Sequence, residues 1–272
     1  MKIRDLVAWG RKEVGDLREV YWIISGELGV PLQEVYLLDE IGDKEEERVR
    51  RAINLRERGI PLSYIMGVVE FCGLEFSVRE GVFTPRRDTE TLVEFAREVL
   101  PGKKERVLDL CCGVGNIGLS LSCLSGVDVV GVDILPRSIE LSSQNAVRLG
   151  VRERAEFIRE DIFSYLKRVQ DKFSLIVSNP PYIPAEERHL LPPEVISEPE
   201  VCWNGGEGGM EFYPGIISEG IEKISAPGYI ILEVGEKQAE EVRTLLEEAG
   251  LQETGIKRDA GQRERVVWGK KT

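Results

Sequence analysis

From Glu105 onward the chain repeats one pattern, a short apolar run followed by an amphipathic stretch, and this alternation limits the fold more than any other feature. ERVLDL and SGVDVVGVD read as strands, with a helix from about Asn116 to Leu124 between them and PRSIELSSQNAVRLG as the helix after the second. AEFIRE, DIFSYLKRV and KFSLIVS continue as strand, helix and strand, the last ending at Asn179; GYIILEVG and KQAEEVRTLLEEAG repeat the step, and ETGIKRDA and ERVVWGK complete the sheet. Strands separated by helices pair in parallel through crossovers. The expected fold is therefore α/β, a doubly wound, mostly parallel sheet that binds ligands beyond the carboxyl ends of its strands.

The part before this run has a different grain. Residues 1–65 place apolar positions at helical spacing, as in Ile3, Leu6 and Val7, or Val49, Ala52, Ile53 and Leu55, and predict a small helical domain. Residues 66–83 turn β-rich: Val68, Val69 and Phe71 are separated from Leu74, Phe76 and Val78 by Cys72-Gly73, which predicts a linking β-hairpin. Residues 84–272 then form the α/β domain.

Composition excludes several classes. With 272 residues, 42% hydrophobic and 31% charged, the chain can bury a substantial core. A formal charge of -12 argues against a general nucleic-acid grip, which works by neutralising phosphates, while leaving room for a local basic patch such as Arg86 and Arg87. Charges run through the N-terminal segment and no apolar stretch approaches the ~20 residues a bilayer requires, so a cytoplasmic location with no membrane partner is expected. Cys72, Cys111, Cys112, Cys123 and Cys202 form no CxxC pair or disulfide framework, and His189 is the sole histidine, so no metal site is expected.

In VLDLCCGVGNIG, Gly113 and Gly115 fall at the first strand-to-helix turn, where glycine permits close approach. The three-glycine dinucleotide arrangement is missing, and this turn alone is weak evidence for a nucleotide-like cofactor, close packing being the other reading. Asp133, after VDVVGV, can accept hydrogen bonds from both hydroxyls of an adenosine ribose. Asp161 can receive the adenine amino group, with Ile162 or Phe163 covering the ring; it can also cap the helix it precedes, and the two roles are compatible. Asp109 belongs either near the positive end of the cofactor or in stabilising the turn. Four such elements in this order point to S-adenosylmethionine.

The tetrad Asn179-Pro180-Pro181-Tyr182 follows the fourth strand. Its double proline can hold neighbouring carbonyls rigidly outward. The Asn179 side-chain carbonyl and the Pro180 backbone carbonyl are the acceptors for two amide or amine hydrogens, and Tyr182 can pack against the planar group they belong to. Alone, SNPPY could equally be a rigid turn. An amide nitrogen is a weak nucleophile, so such a site must work by orientation and by accepting hydrogen bonds as positive character develops, without a strong base.

IPLSYIMGVVEF, TPRRDTE, DLCCGVGNIG, NPPY, WNGGEGG, LEVGEKQ and RDAGQRE together resemble the bacterial peptide-chain release-factor glutamine N5-methyltransferases along nearly the whole chain. The resemblance implies a class I methyltransferase sheet. It implies Cys111, Cys112, Gly113, Val114 and Gly115 as the cofactor loop, Asp133 as the ribose partner and Ile162 as the adenine cover. Asn179 would face both cofactor and substrate, with Pro180, Pro181 and Tyr182 completing the glutamine site. Pro85 and Arg86 would line the entrance or support the pocket, with Glu90 in the same network; a surface ion pair is the other reading of Arg86. The chain departs from the family pattern at Cys111, Cys112 and Val114, where small polar residues are usual, and at Arg87, where proline is usual. The implied reaction methylates the glutamine of the Gly-Gly-Gln loop of class 1 release factors, with S-adenosylhomocysteine as the second product and the helical domain capturing the protein substrate. Two other readings are an adenine-N6 DNA methyltransferase, which needs a nucleic-acid groove and base flipping, and a noncatalytic adenosylmethionine-binding protein.

Overall fold

The computed structural model describes residues 2–100, 102 and 105–272; Met1, Pro101, Lys103 and Lys104, which fall inside the expected domain ranges, lie outside the described residues. In chain order the helices and strands are α1 (Ile3–Val14), α2 (Leu17–Leu28), α3 (Leu32–Val35), α4 (Asp43–Glu57), α5 (Leu62–Met66), β1 (Val68–Phe71), β2 (Leu74–Ser77), α6 (Glu90–Val99), β3 (Arg106–Leu110), α7 (Asn116–Ser125), β4 (Asp128–Asp133), α8 (Pro136–Arg148), β5 (Ala155–Arg159), α9 (Ile162–Arg168), β6 (Phe173–Ser178), α10 (Pro193–Ile196), α11 (Phe212–Gly220), β7 (Ile224–Glu233), α12 (Ala239–Glu248), β8 (Glu253–Arg258) and β9 (Glu264–Lys271). They divide into two units, Met1–Val68 with Leu191–Ser197, and Val69–Leu190 with Glu198–Thr272.

In the first unit, α1, α2 and α4 bury one face each, with Leu6, Val20, Ile23, Ile24, Val49 and Ile53 fully enclosed. Gly10 marks the tightest approach: a Cβ there would come within 2.9 Å of both Ile53 Cδ1 and Val20 Cγ1. Helix ends follow local chemistry. Asp16 caps α2 by accepting the Arg18 N–H at 2.8 Å, and Glu45 reaches back to the Gly42 N–H at 2.9 Å at the start of α4. The segment Leu191–Ser197, sequence-predicted within the α/β domain, clusters instead with this unit. Its Glu194 pairs with Arg56, whose guanidinium also holds Glu19 at 2.6 Å.

The second unit opens with the β1–β2 hairpin, whose two turn residues, Cys72 (φ 51°) and Gly73 (φ 72°), are both left-handed as a tight twisted hairpin demands. The Glu90 carboxylate holds this turn by accepting the Cys72 N–H at 2.8 Å. The main sheet has seven strands in the order β5-β4-β3-β6-β7-β9-β8. Strands β5 through β7 are parallel; β9 runs antiparallel between β7 and β8. Alternating side chains cover both faces: Leu108, Leu110, Val130 and Val132 pack with Ile162, Tyr165, Tyr213, Ile216 and Leu246 from α9, α11 and α12. Val107, Val129, Leu175 and Val177 pack with Leu92, Phe95, Ile117 and Leu121 from α6 and α7, and with Phe71 and Phe76 of the hairpin. This is the doubly wound sheet the alternation predicts. Chain direction across the sheet reverses at β3, where Leu110 and Ser178 are register partners at the carboxyl ends of β3 and β6. That reversal leaves a crevice between the loops that follow the two strands.

Candidate active site

The turn after β3 is built from three left-handed residues, Cys111 (φ 58°), Gly113 (φ 55°) and Gly115 (φ 81°). Cys112 continues the ladder by donating its N–H to Val132 O at 3.1 Å, and Gly115 donates to Cys112 O at 2.8 Å. Glycine at 118 answers a packing demand, since a Cβ there would lie 2.6 Å from Val129 Cγ1. Helix α7 therefore lies close on the sheet, and its first residues face the crevice.

Asp133 ends β4 beside this turn. Its Oδ2 accepts the Gly113 N–H and its Oδ1 the Leu135 N–H, each at 2.8 Å. One carboxylate thus ties two loops together and still has lone pairs to offer. Burial raises its pKa, opposed by those two backbone donors. Asp109 lies on the opposite side of the turn. It is fully buried, its Oδ2 accepts the Gly118 N–H at 2.9 Å, and its Oδ1 has no hydrogen-bond partner. Burial pushes it up to about 7, against the Gly118 N–H and with help from the nearby Asp133 charge.

A mostly apolar cleft of about 870 Å³, counting its open mouth, lies over these loops. Of the sequence-predicted site residues, Cys111, Cys112, Gly113, Asp133, Asp161, Ile162, Asn179 and Pro181 line it. Asp161 also caps α9 by accepting the Ser164 N–H at 2.9 Å, so capping and a place in the cleft wall coexist. The others stand behind the wall. Asp109 shares the sheet face of Val107 and points under α7, which favours turn stabilisation over contact with a cofactor. Val114 is fully buried, and Gly115 is hemmed in by Leu119, Ser142 and Phe157. Phe163 stacks on Phe212, and it is Phe212 that reaches the cleft. Pro85, Arg86 and Glu90 border a separate groove beside the hairpin. Arg86 reaches Glu198 Oε1 at 2.8 Å and so fixes the segment preceding Val201 and Cys202, which do line the cleft. Phe83, Asn116, Ile117, Ile134, Leu135 and Ser138 complete the wall.

The tetrad leaves β6 with Pro180 and Pro181 buried and Asn179 and Tyr182 partly so. Asn179 donates its Nδ2–H to Thr89 Oγ1 at 3.3 Å, which leaves its carbonyl as the acceptor end. The Pro180 carbonyl accepts no hydrogen bond among the described residues. Tyr182 is not among the residues that line the cleft, and it donates its hydroxyl to Glu233 Oε1 at 3.2 Å. Gln238 grips the same residue from behind, donating to Tyr182 O at 2.9 Å while its own carbonyl accepts the Gly235 N–H at 2.8 Å. Ile183 and residues 203–205 exchange backbone bonds of 2.9 Å alongside.

Thr89 and Glu233 carry no site signal of their own in the sequence; only their place in TPRRDTE and LEVGEKQ hinted at a role. Both are 1% exposed. Burial pushes Glu233 up to about 7, opposed first by a hydrogen bond from the Thr89 side chain and then by the Arg265 charge. Arg265 in turn meets Asp88 and Asp259 at 3.4 and 3.5 Å, so the RDAGQRE segment closes this layer behind the tetrad.

Comparison with known proteins agrees with this architecture. Residues 73–197 match the family described as Methyltransferase small domain. The release factor glutamine methyltransferase of Geobacter sulfurreducens is 35% identical over 98% of this chain and 96% of its own length; that of Salmonella typhimurium is 36% identical over 85% and 82%. Among solved structures, a methyltransferase from Pyrococcus furiosus superposes with a TM-score of 0.54 at 14% identity, covering 73% of this chain and 89% of that one. The T. thermophilus 16S rRNA N2 G1207 methyltransferase does so with a TM-score of 0.54 at 19% identity, over 75% and 50%. Those two show the shared fold. Among the described residues no helix is long and apolar enough to cross a membrane. With a methyl-transfer fold, a crevice at its switch point and relatives matched across 82% to 96% of their length, this chain belongs to the release factor glutamine methyltransferase family.

Proposed function

We propose that this protein transfers a methyl group from S-adenosylmethionine to the side-chain N5 of the glutamine in the Gly-Gly-Gln loop of class 1 release factors. The observation that carries the reading is the state of the tetrad's acceptors. Asn179 lines the cleft with its amide nitrogen engaged by Thr89, and the carbonyl of the adjoining Pro180 accepts no hydrogen bond among the described residues, so in this reading the tetrad offers two acceptors. A primary amide presents two N–H donors, and this pair matches them. With both hydrogens held, the nitrogen is fixed in direction, and positive character developing on it is met by two carbonyl dipoles.

The residues of the cleft suit the methyl donor. Asp133 retains acceptor capacity for ribose hydroxyls, Asp161 sits on the rim, and Ile134 and Ile162 give apolar walls for an adenine ring. When bound there, S-adenosylmethionine supplies an electrophilic methyl on a sulfonium. The turn from Cys111 to Gly113 lines the cleft, and burial holds its two thiols well above their usual pKa and so neutral. In this reading the enzyme works in the cytoplasm on release factors, without a stable nucleic-acid partner, and the helical unit supplies recognition that one glutamine side chain cannot.

The test is incubation with S-adenosylmethionine and a class 1 release factor, followed by peptide mass spectrometry. A gain of one methylene confined to the Gly-Gly-Gln glutamine is expected. An unmodified loop, or methyl groups elsewhere in the factor, would overturn the assignment.

A further inference from the structure

We propose that Gln238 is a positioning residue for methyl transfer, which locks the chain leaving the tetrad to the glycine loop 205–209 and so keeps the Pro180 carbonyl in its direction. The inference rests on the tetrad being the amide holder. Proline rings lock φ at 180 and 181 but leave ψ free. The Pro180 carbonyl lies in the peptide plane that ends on Pro181, so it points wherever that plane is held. The holding must come from the far side of the tetrad.

Two contacts supply it. Gly205 lies close against the tetrad backbone, where a Cβ would come 2.7 Å from Pro181 O and 2.8 Å from Tyr182 Cα. Gln238 takes the next carbonyl. From the N-cap of α12 its Nε2 donates to Tyr182 O at 2.9 Å, and to Gly208 O and Gly209 O at 3.1 and 3.3 Å. Its Oε1 accepts the Gly235 N–H at 2.8 Å, with the Tyr213 hydroxyl at 3.3 Å. A backbone N–H only donates and a backbone carbonyl only accepts, so this carboxamide has a single admissible orientation. One side chain thus joins the tetrad, the glycine loop and the residues after β7. The loop completes the clamp along its length, with the Ile183 N–H donating to Trp203 O and the Gly205 N–H to Ile183 O, each at 2.9 Å. Gln238 is buried, and an apolar side chain in its place would strand the Gly235 N–H and the Tyr182 carbonyl. The Pro181 carbonyl is therefore crowded and the Tyr182 carbonyl bonded, while that of Pro180 accepts no hydrogen bond among the described residues.

The experiment compares the full-length wild type with Gln238→Met and Gly205→Ala, using a class 1 release factor and S-adenosylmethionine. Gln238→Met keeps the length of the side chain and removes its hydrogen bonds; Gly205→Ala sets a methyl against Pro181 O from the other side. Each should lower kcat per folded molecule at saturating substrates by about tenfold to a hundredfold, as misplacement of a reacting group does. The folded fraction is read by circular dichroism at the assay temperature. KM for the release factor should move less than kcat, and calorimetric affinity for S-adenosylmethionine should stay unchanged. Wild-type kcat in either folded variant overturns the inference. So does a loss that only tracks the folded fraction or that comes with weakened methyl-donor binding, since either marks a merely structural role. If Gln238→Met fails to fold, Gly205→Ala carries the same comparison. Should the wild type leave glutamine unmodified, the functional reading falls, and the clamp is then read from amide hydrogen exchange. Faster exchange at Ile183 and Gly205 in the variant than in the wild type, with β3 and β4 unchanged, supports it, and equal exchange overturns it.

Discussion

Replacing Asp109 by Asn should change how stability depends on pH. Asp109 is fully buried, with one oxygen bound to the Gly118 N–H and the other unpartnered, and burial pushes it up to about 7. Its unfolded value is about 3.9, so the folded state favours the neutral acid. As pH rises through that window the unfolded chain releases its proton first. The folded state then binds more protons, and its stability falls. Below the window both states are protonated and nothing is lost. Three pH units at 1.36 kcal/mol each make about 4 kcal/mol in all, of which about 3 kcal/mol falls between pH 5 and pH 8. Asparagine carries no charge in either state and keeps an oxygen for Gly118. Relative to wild type, the variant should therefore gain about 3 kcal/mol from pH 5 to pH 8, read by urea unfolding followed by circular dichroism. Glu233 and the other titrating groups that do not couple to Asp109 are common to both proteins and cancel in the comparison; Asp133, whose charge helps raise Asp109, is the coupled exception. An identical pH dependence in the two would refute the reasoning.

Three further outcomes follow from the geometry. Asn179→Ala should keep the fold and lower single-turnover methylation on the order of a hundredfold, by loss of an oriented dipole at the reacting centre; near-normal turnover would sink its assignment. Asp133→Ala should weaken S-adenosylmethionine binding by about tenfold or more in calorimetry, since it removes charged acceptors and frees the Gly113 turn. Unchanged affinity would count against its ribose role. Gly118→Ala, which sets a methyl 2.6 Å from Val129 Cγ1 and 3.0 Å from Asp109 Oδ2, should cost about 1–3 kcal/mol in urea unfolding. A wild-type midpoint would show that α7 can move off the sheet freely.

Much of this architecture could be read before any coordinates. The strand–helix alternation, the glycine turn, the acid at the end of β4 and the tetrad after β6 are local patterns, and each lies at the carboxyl end of a strand or just beyond it, where its pattern predicts. Asp109, left between two roles by the local pattern, shows what strand alternation adds. Its strand alternates, so Leu108 and Leu110 share one face and Asp109 must take the face of Val107, under α7. The cleft's far wall was not legible, because Phe83, Val201 and Cys202 come from segments with no periodicity, Phe212 from the first turn of α11, and they meet only through the sheet order. Thr89 and Glu233 were hidden for a similar reason. They are separated by 144 positions, and nothing in a threonine at a helix start or a glutamate ending an apolar strand announces that one will hold Asn179 and the other Tyr182. Leu191–Ser197 reads as an ordinary proline-containing loop, and only its pairing through Glu194 reveals its allegiance.

That allegiance bears on how such a protein can be recombined. The helical unit is not one contiguous stretch of gene, because its Arg56 finds one acid in α2 and the other in a segment encoded more than a hundred codons later. Gly59 is likewise fitted to Pro193, which a side chain at 59 would strike. A chimera that imports only residues 1–68 from a relative would inherit half of a matched set, with a foreign surface set against native Pro193 and Glu194. Exchange of specificity between members of this family should therefore travel as two separated fragments moved together, and single-crossover libraries cut near residue 68 should be depleted of folded progeny.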